Sequence, residues 1–191
     1  MKQIINLQGG GKVTYIPNCI SKKNSKDLME HLKEQIPWTH GIYKMYGKEI
    51  KTPRLLFAMK DEDTDITKSY SVTGSIIWSK FMEKLKRKVE KETQRTFRYA
   101  QLNYYRTGDD YIGFHTDSEV KKGDIIASIS LGAERKFSFQ QIEDKTIKHS
   151  MILENGSLLI MDDKAAKYNW KHSLPKMKDV GERINITFRP N

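Results

Sequence analysis

The chain has 191 residues, 37% of them hydrophobic, and a formal net charge of +10 from 34 Lys+Arg against 24 Asp+Glu. That length fits one domain, or one domain with a modest extension, and no stretch reads as a transmembrane span or a secretion signal. Cys19 is the single cysteine, which excludes internal disulfides and cysteine zinc clusters and suits an intracellular, nuclear or cytoplasmic protein.

Residues 1–12, with Gly9-Gly10-Gly11, read as a loose lead-in, and residues 13–16 as a short strand stopped by Pro17. Ser25 is the expected N-cap of a helix carrying Leu28, Leu32 and Ile36 at intervals of four, closed by Pro37. Residues 38–74 show little sustained periodicity and many turn formers, so loops with short strands are expected there. Asp61, Asp63 and Asp65 resemble the start of a calcium loop. Ile66 stands where its glycine belongs and Val72 where its glutamate belongs, which leaves a solvated acidic turn.

Helix is expected again over about 75–93, where Ile77, Phe81, Leu85 and Val89 form a stripe broadened by Trp78 and Met82. Its basic other face reads as a solvated helix back. From residue 97 the texture changes to short β-rich runs at 97–105, 125–131, 136–140, 150–153, 157–161 and 183–188, punctuated by glycines. Such spacing indicates a sandwich or barrel rather than a parallel βαβ sheet. The basic excess favours a polyanionic partner, because neutralised phosphates release condensed counterions, though it also serves solubility.

The stretch 103–117 carries the chemistry. In an extended strand, side chains two apart share a face, so His115 and Asp117 can aim at one point, as can Asn103 and Tyr105. One imidazole and one carboxylate are two-thirds of the facial triad of non-haem Fe(II) oxygenases. Of the other histidines, His31 lies in a helix, while His40 and His149 have no carboxylate two residues away. His172, in an aromatic stretch before a proline-bearing turn, is the best remaining candidate.

The final strand offers independent support. Ile184, Ile186 and Phe188 alternate with Arg183, Asn185, Thr187 and Arg189, giving one apolar face and one face with two guanidiniums, an amide and a hydroxyl. An exposed edge would explain the polar face, but the planar arginine fork is also the group suited to carboxylates. Arg183 and Arg189 would stand roughly 20 Å apart along the strand, too far for one small carboxylate.

Taken with Asn103-x-Tyr105, His115-x-Asp117, residues 128–132 (SISLG), Gly156-Ser157-Leu158-Leu159 and His172-Ser173-Leu174-Pro175, the chain resembles the AlkB family of Fe(II)/2-oxoglutarate dioxygenases. It is most similar to the members that repair alkylated DNA. The resemblance runs from about residue 13 to the end and is densest from Tyr46. It implies an α+β fold with a double-stranded β-helix (jelly-roll, cupin-like) core over about 97–191. N-terminal helices would pack on one sheet, with a substrate-recognition lid over about 38–74, all in one domain spanning 1–191.

By that resemblance His115, Asp117 and His172 hold Fe(II). Arg183 and Tyr105 bind the distal carboxylate of 2-oxoglutarate, and Asn103 and Arg189 the carboxylate nearer the metal, with Asn185 and Thr187 on the same wall. The two arginines would then address opposite ends of the cosubstrate. With O2 as second cosubstrate, the implied reaction is demethylation of 1-methyladenine and 3-methylcytosine in DNA, with release of succinate, CO2 and formaldehyde.

A base inside a duplex must leave the stack to be reached. The expected substrate contacts are Tyr46, Gly47, Lys48, Arg54, Tyr70, Ser71 and Val72 from the lid, and Glu119. Tyr46 is the candidate for filling the vacated stack. The implied partner is nucleic acid, alkylated DNA first and RNA second, bound by a monomer away from membranes. The same chemistry on a protein is an alternative. A non-catalytic nucleic-acid-binding module is another, although it would have no need of the three ligands and both arginines.

Overall fold

Capping and apolar spacing set the two helices of the computed structural model, which describes residues 1–45, 47–66 and 74–190. In α1 (Lys22–Gln35) the Ser21 side chain accepts from Asn24 N at 3.3 Å, and Leu28 and Leu32 are buried. Ser25, expected as the cap, instead lies on the buried face and donates its hydroxyl to Asn155 Oδ1. The helix starts a turn earlier because residues 22–24 contain no breaker and Ser21 already meets an orphan N–H.

The second helix, α2 (Lys80–Thr93), is capped by Ser79 and buries Met82, Leu85 and Val89. This corrects the expected stripe. A strict spacing of four drifts about 40° per step around a 3.6-residue turn, so Ile77 and Phe81 fall off the buried face. Ile77 is 57% exposed in a short strand, and Phe81 is 42% exposed and stacks on His31 at 5.3 Å between centroids.

The strands are β1 (Gln3–Asn6), β2 (Lys12–Ile16), β3 (Thr39–Met45), β4 (Lys48–Lys60), β5 (Ser75–Ile77), β6 (Tyr99–Tyr105) and β7 (Ile112–His115). The chain continues through β8 (Ile125–Gly132), β9 (Arg135–Gln141), β10 (Lys148–Leu153), β11 (Leu158–Asp162), β12 (Trp170–Leu174) and β13 (Arg183–Arg189). Among the described residues they form two sheets. The larger runs β1-β2-β11-β8-β13-β6-β4-β3, with β5 parallel to β4, and the smaller runs β10-β9-β12-β7.

Two expectations fail here. The lead-in forms β1, paired antiparallel with β2, because Asn169 Nδ2 and Trp170 Nε1 each donate at 2.7 Å to the carbonyls of Gly9 and Gly10 and pin the turn. Residues 38–74 carry the long β3–β4 hairpin rather than loops with short strands, and β4 also pairs with β6. Its periodicity is weak because Leu56, Phe57, Ala58 and Met59 are buried in succession, on both faces of the sheet.

β13 lies between β8 and β6 with all its residues buried, so it is not an exposed edge. Ile184, Ile186 and Phe188 join Leu32, Met82 and Leu102 in the core beneath the helices. Each such buried side chain contributes about 1.5–3 kcal/mol. A second core, including Tyr105, Phe139 and Trp170, fills one end of the space between the sheets. The polar face of β13 looks into the rest of that space.

Asp61 is a staple rather than part of a solvated turn. Its carboxylate accepts from Trp78 Nε1 at 2.7 Å and Lys86 Nζ at 2.8 Å, and pairs with Arg98 Nε at 3.2 Å. It thereby ties β4 to α2. Asp61→Ala is expected to lower stability by about 1–3 kcal/mol, read as a shift in the urea midpoint, because it strands the indole N–H. A midpoint equal to wild type would show that solvent replaces the carboxylate at no cost.

Candidate active site

The inner face of the large sheet supplies one wall. Register places Arg183 opposite Tyr105, Asn185 opposite Asn103, Thr187 opposite Gln101 and Arg189 opposite Tyr99. On the other flank, Arg183 Nη2 donates to Ser130 Oγ at 2.9 Å and Asn185 Nδ2 to Ser128 Oγ at 2.5 Å. Thr187 donates to Asn185 Oδ1 at 2.8 Å. The cosubstrate residues expected from sequence thus share one continuous polar surface.

The smaller sheet supplies the histidines. His172 on β12 pairs with His115 on β7, and their rings are 4.3 Å apart. β7 holds four residues from Ile112 to His115 where β12 holds three from His172 to Leu174, so the strand bulges at Gly113–Phe114. The bulge turns both Ile112 and His115 inward, although they are three apart. His115 Nδ1 is 2.9 Å from Gly113 O, which leaves Nε2 for the cavity.

Asp117 follows in a turn held from outside. Its N–H donates to Ala166 O at 3.0 Å, in a π-helical turn, Lys164–Tyr168. Lys167 Nζ reaches across to the carbonyls of Ser118 and Val120 at 2.6 and 2.7 Å, gripping the loop on either side of Glu119. Such π turns are frequent at functional sites.

Ligand atoms of His115, Asp117 and His172 all lie within 4.8 Å of one another. Burial, then the neighbouring His172, pushes the His115 imidazole down to about 3, and burial lowers His172 as well. Both rings are therefore neutral, the form that ligates metal. Burial alone would raise Asp117, but the Arg189 charge, followed by the two imidazoles, brings it down to about 2. Asp117 Oδ2, 3.4 Å from His172 Nε2, and His172 Nδ1 are buried with no hydrogen-bond partner among the described residues. Two neutral imidazoles and a carboxylate with an unmet oxygen fit a divalent iron.

Arg183 gives the corresponding test for the cosubstrate. It is 1% exposed, yet its Nε and Nη1 have no partner, and burial pushes its guanidinium down to about 10. An anion delivered to that spot would meet both N–H groups. Arg189, at the other end, is committed to Asp117 Oδ1 at 2.7 Å and to Glu119, with Nε free.

Two chambers meet at the triad. The inner one is lined by Asn103, Tyr105, Arg183, Asn185 and Thr187. The outer one, about 380 Å³, is lined by Tyr43, Pro53, Tyr111, Phe114 and Glu119 among others. Arg54, Gln101, Ile112, His115, Asp117 and Arg189 line both.

Of the expected substrate contacts, Glu119 falls in the outer chamber. Arg54 is 6% exposed and lines both chambers, donating Nε to Asn103 Oδ1 at 2.8 Å. Gly47 and Lys48 sit at the β3–β4 tip, and neither lines a chamber. Tyr46, Tyr70, Ser71 and Val72 lie outside the described residues.

Sequence reasoning missed Gln101, whose only signal was its place two residues before Asn103 on the same strand face. It also missed Arg135, which is fully buried with its guanidinium 5.7 Å from the Tyr105 ring. Arg135 Nη2 donates to Asp110 O at 2.9 Å and Pro175 O at 2.7 Å, and Nη1 to Thr107 O at 3.4 Å. It joins the turn before His115 to the segment after His172. Gly108 lets that turn approach, because a Cβ there would meet the Met177 carbonyl, while Met177 N donates to Gly108 O at 3.0 Å. Arg135→Met is expected to cost about 2–4 kcal/mol in urea unfolding, since it strands buried carbonyls. An unchanged midpoint would mean that water reaches them.

A buried His-Asp-His cluster beside a buried, unpartnered arginine, between two largely antiparallel sheets, is the arrangement of a 2-oxoglutarate-dependent iron oxygenase. Residues 12–189 match the 2OG-Fe(II) oxygenase superfamily. The chain is 31% identical to the DNA oxidative demethylase ALKBH2 of Bos taurus over 88% of its own length and 65% of that protein's. It is 30% identical to the Homo sapiens counterpart over 88% and 69%. Alpha-ketoglutarate-dependent dioxygenase alkB homolog 3 of Homo sapiens is 29% identical over 95% and 66%. The chain thus spans roughly two-thirds of the length of these relatives.

The solved structure of OsALKBH1 shares the fold, with a TM-score of 0.69 at 17% identity over 98% of this chain and 100% of that one. The chain belongs to the 2OG-Fe(II) oxygenase superfamily and, within it, to the AlkB dioxygenases, whose cofactor is Fe(II) and whose cosubstrates are 2-oxoglutarate and O2.

Proposed function

We propose that this chain demethylates N-alkylated bases in DNA, 1-methyladenine and 3-methylcytosine, as a direct-reversal repair enzyme. The observation that carries the reading is the junction of two chambers at the triad, one lined by a buried Arg183 with unpartnered N–H groups and one large enough for a base. The names of the ALKBH2 relatives support the substrate class.

In this reading His115, Asp117 and His172 hold iron. Arg183, with Tyr105 beside it, takes the distal carboxylate of 2-oxoglutarate, and Asn103 and Arg189 face the end nearer the metal. When bound, iron and the cosubstrate supply the oxidation that inserts one oxygen into a methyl C–H while 2-oxoglutarate becomes succinate and CO2.

The protein contributes position and shielding. Arg189 holds Asp117 Oδ1, which leaves Oδ2 as the oxygen that would take the metal, and the Gly113 carbonyl fixes the His115 tautomer. Glu119 and Gln101 present polar groups to the edge of a base in the outer chamber. The hydroxylated methyl then separates as formaldehyde, and the freed ring nitrogen returns to its unmodified state.

Incubation with methylated DNA, methylated RNA and methylated peptides, followed by mass spectrometry, tests this. Loss of methyl from DNA is the expected result. Loss from RNA or peptide alone would move the substrate, and loss from none would end the demethylase reading while leaving the oxygenase assignment intact.

A further inference from the structure

The bulge in β7 has an outward product as well as an inward one. Turning Ile112 and His115 into the cavity leaves Phe114 at its mouth, 41% exposed, with Tyr111 just before the strand 38% exposed. Both line the outer chamber. β7 is the last strand of the smaller sheet, so among the described residues no further strand covers this rim. A Cβ on Gly113, between them in sequence, would meet nothing within 4 Å. Rings of this size usually contribute their burial to the core, and here two are left at the entrance to a site.

A cation stands with them. Lys176 Nζ is 5.5 Å from the centroid of the Tyr111 ring, and its side chain is 61% exposed. Its pairing with Asp109, at 3.7 Å and with Asp109 90% exposed, is a solvent-facing contact of little strength. Exposed aromatic rings beside a weakly paired, solvent-facing ammonium, on a chain of charge +10, are the combination that holds unpaired nucleotides. The rings take base faces irrespective of sequence and the cation takes phosphate.

We propose that Tyr111 and Phe114 form a stacking shelf for the unpaired nucleotide adjacent to the base held in the outer chamber, with Lys176 on its phosphate. The proposal rests on the reading that the outer chamber takes a nucleobase, and it deepens that reading towards single-stranded or locally opened substrate. When the target base leaves the stack, its unpaired neighbour loses the stacking partner on that side. The shelf replaces that lost partner. Neither ring belongs to the metal set or the cosubstrate wall.

The experiment compares wild type, the double variant Tyr111→Ala/Phe114→Ala and the conservative Phe114→Trp, each checked for folding by circular dichroism. The first readout is kcat/KM on a short single-stranded 1-methyladenine oligonucleotide divided by kcat/KM on the 1-methyladenine nucleotide alone. The second, independent of turnover, is quenching of 2-aminopurine placed next to the target position. In the double variant the ratio is expected to fall about tenfold or more through KM, and quenching to disappear, as loss of base–aromatic stacking implies. Phe114→Trp should keep both.

Unchanged ratio and unchanged quenching in the double variant overturn the shelf, even if the oligonucleotide is demethylated normally. Quenching that depends on the two rings in a protein that demethylates nothing supports the shelf and overturns the demethylase reading instead.

Discussion

Replacing His115 with alanine is expected to remove Fe(II)-dependent succinate formation, by more than the roughly 10–100-fold typical of losing a residue that only orients a ligand. It should do so with a stability change under about 1 kcal/mol. His115 is only partly buried and neutral, and its single ring hydrogen bond is to Gly113 O. Asp117→Ala makes the informative contrast. It should abolish turnover equally but cost about 1–3 kcal/mol of stability, because the buried Arg189 guanidinium loses its 2.7 Å partner and keeps only Glu119. Metal titration and urea unfolding on the two variants separate loss of a ligand from loss of a fold. Wild-type succinate formation by His115→Ala would place the metal elsewhere.

Arg183→Met is the second large effect, and its sign differs between the free and loaded protein. In the free chain the guanidinium is buried with Nε and Nη1 unmet, and burial drives it down to about 10. That environment disfavours the charged form, so the residue weakens the fold until an anion arrives. Methionine keeps most of the volume and removes the charge. The melting temperature without cosubstrate is therefore expected to equal or exceed that of wild type.

The gain from adding 2-oxoglutarate should vanish, and its KM should rise about 100–1,000-fold, the weight of a lost buried charge pair. The two-sided outcome matters because simple misfolding lowers both melting temperatures together. A variant that keeps a normal KM would show that the carboxylate sits elsewhere.

How much of this the residues announce depends on whether the signal is local. His115-x-Asp117 and the alternation of β13 are visible because both are single-strand patterns with period two. The polar face of β13 required the structure to be read correctly. It looks like an exposed edge until β8 and β6 are seen on either side, and it then becomes a cavity wall.

What stays hidden in the sequence depends on distant partners. The strand at residues 3–6 exists because Asn169 and Trp170 hold its turn. β4 lacks a clear period because both its faces are covered over residues 56–59. Asp61 reads as solvated until Trp78, Lys86 and Arg98 converge on it.

The site divides in the same way. Arg183 and Arg189, expected roughly 20 Å apart along β13, both line the inner chamber. Arg183 waits at the closed end, and Arg189 pairs with Asp117 and Glu119 at the triad. Arg54, expected in the lid from its neighbours in sequence, is buried and lines both chambers, because β4 continues the sheet past β6. Arg135 and Lys167 carry no motif. Each holds an active-site turn by donating to backbone carbonyls, and such contacts have no sequence pattern because every residue offers the same acceptor.

The most direct measurement is the joint yield of succinate and formaldehyde from purified protein with Fe(II), O2 and 2-oxoglutarate, with and without a single-stranded oligonucleotide containing 1-methyladenine. The account predicts iron-dependent succinate that rises with the methylated strand, with one formaldehyde released for each methyl lost and none from His115→Ala. Succinate that is unaffected by the strand, with the methyl group retained, would contradict it.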